Sequence, residues 1–133
     1  MAGSGVLLLE GGAEFEGRMA EADRQAISLT VKAEIRLCIL PTAAAPDANH
    51  IRAGNRAVEW FRSLGVQEAE SLPVIDRSSA DDAVHAEALA EADLIYILGG
   101  FPGYLFEILN GSRCGQEIYS AIDRGTILAG SSA

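Results

Sequence analysis

The residues best suited by type and spacing to do chemistry are the last four, Gly130-Ser131-Ser132-Ala133. They match the first four positions of G-x-S-x-G, in which a sharp strand-to-helix turn holds a serine hydroxyl exposed near the positive end of the next helix. A serine held this way attacks a carbonyl carbon. The amide that follows it, here that of Ala133, is placed to donate to the oxyanion that forms. Small residues flank such a serine because its backbone is strained and closely packed. The same tetrapeptide also suits an ordinary turn after a strand, so its meaning depends on what surrounds it.

A second feature of the same kind is Gly99-Gly100, which ends the apolar run Asp93-Leu94-Ile95-Tyr96-Ile97-Leu98. Only a backbone without Cβ brings its N–H so close to a tetrahedral intermediate, although a tight turn after a strand needs the same residues. A serine at its free pKa is a poor nucleophile without a neighbouring base. His50 follows Pro46-Asp47-Ala48-Asn49 and reads as a helix-start or surface histidine, while His85, amid Asp81, Asp82 and Glu87, reads as solvated. The two cysteines, Cys38 and Cys114, have no C-x-x-C spacing and read as free thiols in a reducing compartment. Cys38 lies in an apolar strand pattern and Cys114 at a loop or helix start. No His/Cys/Asp/Glu cluster has metal-ligand spacing. Gly3-Ser4-Gly5 precedes the first strand pattern rather than following it, so it is not a phosphate loop. Neither a metal nor a cofactor is implied.

The elements that must position these residues are legible as an alternation. Val6-Leu7-Leu8-Leu9, ending in Gly11-Gly12, reads as a strand. So do Glu34 to Leu40, Gln67 to Val74 more weakly, Asp93 to Leu98, and Thr126 to Ala129. Uninterrupted apolar runs suit strands covered on both faces, as in a parallel sheet. Between them, Ile51, Gly54, Ala57, Val58, Phe61 and Leu64 recur at helical spacing, with Gly65 as a stop. Val84, Ala88 and Leu89 mark a further helix, with Asp81 and Asp82 at its start; Leu105, Ile108 and Leu109 mark another, and Ile118, Ala121 and Ile122 one more. Ala20 to Leu29 is a helix with a thin apolar face. The pattern predicts one α/β domain over residues 1–133, a doubly wound, mostly parallel sheet of about five strands with helices on both faces. Ligands of such sheets gather at the carboxyl ends of the strands, where three of the five runs end in glycine.

A net charge of −9 disfavours nucleic acid and anionic membranes as partners. The early apolar run is far shorter than a signal-sequence core, no basic residue precedes it, and nothing approaches the length of a membrane span. A cytoplasmic location is the expectation.

Four blocks occur in order: Gly11-Gly12-Ala13-Glu14, Ile39-Leu40-Pro41-Thr42-Ala43, Ala92 to Gly100, and Ile127 to Ala133. Together with the helix ending Trp60-Phe61-Arg62-Ser63-Leu64-Gly65, this order resembles the cyanophycinase and dipeptidase E family of serine peptidases over essentially the whole chain. The resemblance implies a class I glutamine amidotransferase-like, flavodoxin-like fold and hydrolysis of a small peptide or amide substrate. It makes Ser132 the nucleophile, and gives the oxyanion hole to the backbone of Gly99, Gly100 and Ala133. Gly12, Phe101 and Tyr104 then border the substrate cleft, and Glu14 reads as a structural cap.

The chain departs from that pattern in two places. Where the family carries an acidic or amide residue and then glutamine, this sequence has Phe101-Pro102, which supply no side-chain hydrogen bonds. That points away from cyanophycin or aspartyl dipeptides and towards a more apolar pocket. The family's histidine and orienting acid follow the elbow, and the sequence has nothing after Ala133. The expectation is therefore an incomplete peptidase-like domain lacking its C-terminal part. It would be inactive by itself, with an uncovered last face that favours self-association, a homodimer included. The competing expectation is a catalytically inactive binding module for a small molecule or protein. An amidotransferase ranks last, because those enzymes carry cysteine at the elbow.

Overall fold

Each uninterrupted apolar run becomes a strand. The computed structural model describes residues 6–10, 20–28 and 34–131. Its strands are β1 (Val6–Glu10), β2 (Arg36–Leu40), β3 (Glu68–Ser71), β4 (Leu94–Ile97) and β5 (Ile127–Ser131). They form one sheet in the order β1-β5-β4-β2-β3, and every neighbouring pair is parallel. The helices between them are α1 (Ala20–Ser28), α2 (His50–Ser63), α3 (Arg77–Ala80), α4 (Ala83–Ala90), α5 (Pro102–Leu109) and α6 (Arg113–Asp123).

Side chains alternate across the sheet, so its two faces build two cores. Leu37, Ile39, Leu94, Tyr96, Ile127 and Ala129 face Ala57 and Phe61 of α2 and Ala26 of α1. Cys38, Leu40 and Ile95 face the other way, towards Ala80, Leu89, Ile108, Ile118 and Ala121 of α3 to α6. Helices thus cover both faces of a five-stranded doubly wound sheet, as the alternation predicts. On the second face an apolar groove of about 310 Å³ lies between α5 and α6, lined by Ile97, Leu105, Phe106, Ile118, Ile122 and Leu128.

Two elements carry no helical period in the sequence. A 3₁₀ helix over Thr42–Asp47 follows β2. One α-helical turn, α3, is held by a reciprocal cap: the Asp76 carboxylate accepts from Ser79 N–H at 2.8 Å, and Ser79 Oγ accepts from Asp76 N–H at 3.0 Å. The third strand is shorter than its apolar pattern. It is an edge strand, exposed at Glu68 and Glu70, and Pro73 has no N–H to extend the ladder. Gly65, with φ +102°, ends the α2 segment where a stop was expected. Among the described residues no helix is long and apolar enough to cross a membrane.

Candidate active site

Because all neighbouring strands are parallel, their carboxyl ends share one edge of the sheet. The chain leaves β2 towards β3 on one side and returns to β4 on the other. The ends of β2 and β4 therefore diverge at a topological switch point, where open α/β sheets form their binding crevice. The loop after β2 is the 3₁₀ segment; the loop after β4 is Leu98-Gly99-Gly100-Phe101.

These two loops are locked together. Leu98 N–H donates to Leu40 O at 3.0 Å, and Phe101 N–H donates to Ala43 O at 2.9 Å. Between these bonds Gly100 has a φ of +148°, and a Cβ there would lie 2.3 Å from Ala43 O and 2.7 Å from Ala43 C. Glycine is thus required both for the torsion and for the approach. Among the described residues the Gly100 N–H has no hydrogen-bond partner, and the residue is exposed. An unspent N–H on a rigid, exposed turn is what an oxyanion needs.

The neighbouring strand end is that of β5. Ile97 pairs with Gly130 across β4 and β5, and Glu10 pairs with Ser131 across β1 and β5. A Cβ on Gly130 would meet Ile97 O at 3.2 Å, so the glycine of the elbow motif permits a tight strand-to-strand approach. Ser132, Ala133 and Gly12, and Glu14 with them, lie outside the described residues. Of the predicted site, Gly99, Gly100, Phe101 and Tyr104 stand on one loop and the first turn of α5, beside the end of β5.

Phe101 is 44% exposed. Its backbone is nonetheless fixed, since its N–H is held by Ala43 and its C=O accepts from Leu105 N–H at 3.0 Å. Pro102 sits at the first position of α5, where a missing N–H costs nothing. The Tyr104 hydroxyl donates to Ile75 O at 2.5 Å, and the buried Thr42 hydroxyl donates to Val74 O at 2.6 Å. Both polar tips are spent on anchoring the loop after β3.

His50 is the first residue of α2, directly past the 3₁₀ segment, as expected of a helix-start histidine. Its Nδ1 is buried and, among the described residues, has no hydrogen-bond partner. His85 is not the solvated side chain that its acidic neighbours suggest. It is half-buried, with Nδ1 2.8 Å from Ser79 O. The reason is the unforeseen α3, whose last turn presents that carbonyl to α4. Cys38 and Cys114 are both buried free thiols. Burial, helped by Glu70 and Glu91, pushes the Cys38 thiol up to about 12. Burial with Asp81, Asp82 and Glu117 pushes Cys114 up to about 11. Neither is a nucleophile at neutral pH. Among the described residues no group of His, Cys, Asp and Glu could hold a metal ion.

Comparison with known proteins agrees with this fold. A search of curated proteins finds no match to the chain. Among solved structures, the crystal structure of a peptidase from an acI-B1 Actinobacterium superposes with a TM-score of 0.87 at 31% sequence identity. The match covers 96% of this chain and 54% of that one, so the chain spans about half the length of that peptidase. The model of peptidase family S51 matches residues 6–133. The chain therefore belongs to peptidase family S51, the cyanophycinase and dipeptidase E family that its four sequence blocks resemble.

Proposed function

We propose that the whole protein is a serine-type peptidase or amide hydrolase, with Ser132 as its nucleophile. The observation that carries this reading is the neighbouring course of β4 and β5. With Ile97 paired to Gly130, the Gly99-Gly100 turn and the end of β5 stand side by side at the carboxyl edge of the sheet. Ser132 is the next residue in sequence after β5.

In this reading Ser132 Oγ bonds to the scissile carbonyl carbon while its proton passes to a base. The oxyanion of the tetrahedral intermediate accepts from the Gly100 N–H, with the amide of Ala133 as the further donor. The C–N bond then breaks and the amine leaves with the proton. Water next cleaves the acyl-serine ester and regenerates the hydroxyl. The base and its orienting acid belong to residues beyond Ala133, as the resemblance implies. His85 is already committed to Ser79 O, and neither cysteine is ionised near neutral pH.

The test is a fluorophosphonate probe on the whole protein, followed by mass mapping. Ser132 is expected to carry the label, and Ser132→Ala to lose both the label and about a thousandfold or more in kcat. Unchanged turnover in Ser132→Ala would overturn the assignment. A protein that takes no label and cleaves nothing would be a binding module built on the same fold.

A further inference from the structure

The two loops that meet at the switch point have an unusual chemical inventory. From Pro41 to Pro46 the side chains are two prolines, one threonine and three alanines; from Gly99 to Gly103 they are three glycines, Phe101 and Pro102. The one hydroxyl in that set, on Thr42, is buried and bonded to Val74 O. The Tyr104 hydroxyl beside it is bonded to Ile75 O. The loop after β2 ends on Asp47 and the first charged residue after Gly103 is Glu107, both acidic and exposed, in a chain of net charge −9, while His50 lies just past that loop at the start of α2. These loops therefore offer a ligand side chain neither a cation nor an unspent side-chain donor. What they offer is backbone N–H and an aromatic ring.

That ring is placed rather than merely exposed. Phe101 adjoins Gly100, and its backbone is pinned by hydrogen bonds at both N–H and C=O while the side chain is left about half open. A pinned backbone gives up no chain entropy when a ligand arrives, so burying the ring there is a net gain for binding. An anionic side chain in the same position would lose hydration with no cation on either loop to compensate it.

We propose that Phe101 is a specificity-determining residue, and that the protein selects substrates with an apolar side chain, aromatic or aliphatic, on the acyl side of the scissile bond over acidic or basic ones. The proposal rests on the serine-hydrolase reading above. Phe101 contacts the substrate's side chain and takes no part in proton transfer, so its loss alters selectivity and leaves the reactivity of Ser132 intact.

The experiment measures how fast Ser132 of the whole protein is labelled by aminoalkyl diphenyl phosphonates. These differ only in the side chain next to phosphorus, as the Phe, Leu, Asp and Lys analogues. Each forms an Oγ–P bond and expels phenoxide, so the panel reads side-chain fit at the serine without needing a known substrate. The Phe and Leu analogues are expected to label about tenfold or more faster than the Asp and Lys analogues, the range one apolar contact confers. Phe101→Ala should bring the ratio close to unity, and Phe101→Tyr should restore it. The melting temperature of Phe101→Ala should stay unchanged, because the ring is not core. A faster Asp or Lys analogue, equal rates across the panel, or a preference undiminished in Phe101→Ala would each overturn the proposal. A small fluorophosphonate separates the two readings. If it labels Ser132 while the panel shows no apolar preference, only the specificity proposal falls. If it too leaves Ser132 untouched, the serine-hydrolase reading falls and takes this proposal with it.

Discussion

Gly100 combines a φ of +148° with a contact to the Ala43 carbonyl that leaves no room for a methyl group. A substitution there has to move one loop off the other, since the obstructing atoms are backbone rather than the end of a flexible side chain. Gly100→Ala is expected to cost about 1–3 kcal/mol in strain. If its N–H serves the oxyanion as proposed, the same substitution is expected to lower kcat of the whole protein by about a hundredfold or more. Measuring kcat and the melting temperature together separates the two effects. Full activity at an unchanged melting temperature would show that neither demand is real. At the same scale, a residue's type alone is a poor guide to its role. His85 has the composition of a solvated surface site around it, yet it is bonded to a carbonyl of the preceding helix.

At the scale of elements, the short helices depend on their caps, because a few residues cannot pay for nucleation through propensity alone. The α6 helix starts at buried Ser112, whose hydroxyl accepts from Gly115 N–H at 2.9 Å and donates to Leu109 O at 2.8 Å. The α3 turn starts at exposed Asp76, whose carboxyl is held below its ordinary value of 3.8 by the Ser79 backbone N–H and then by the Ser79 side chain. A lowered folded-state pKa stabilises the fold when the carboxylate is ionised. That contribution is complete above the ordinary value and is lost as pH falls through the lowered one. Asp76→Ala should therefore shift the urea midpoint downwards at pH 7, and the gap from wild type should narrow as pH drops past 3.8. A gap that stayed constant into acid would mean that the cap acts by shape rather than by charge.

For the whole molecule, the sheet is the partition between two cores, and one side chain joins the larger layers of the first. Phe61 of α2 is fully buried and meets Tyr96 of β4 edge to face, with ring centroids 5.2 Å apart at 61°. Phe61→Ala is expected to cost about 3–5 kcal/mol in urea unfolding, the range for an aromatic removed from a packed core. The control is Phe106→Ala. Phe106 is 68% exposed on α5, and its loss should stay within about 0.5 kcal/mol. Similar losses for both variants would mean that the face near α5 is more closely covered than its exposure indicates.

Strand positions, the parallel sheet, the helix after β2 and the glycines at the strand ends were all determined by the sequence alone. Each is a local signal: an uninterrupted apolar run, a three- and four-residue period, or a residue without Cβ where the chain turns. The motif on which the proposed nucleophile rests is local in the same way, four adjacent residues from Gly130 to Ala133. The strand order β1-β5-β4-β2-β3 was not legible there, since many right-handed crossovers are compatible with one hydrophobic pattern. Nor was the 3₁₀ segment, whose alanines and prolines carry no period and whose Ala43 carbonyl receives Phe101 from a distant loop. That meeting makes Gly100 indispensable, fixes the backbone of Phe101 and leaves its ring open. Tertiary structure alone decided it, because the two loops become neighbours only when β2 and β4 pair.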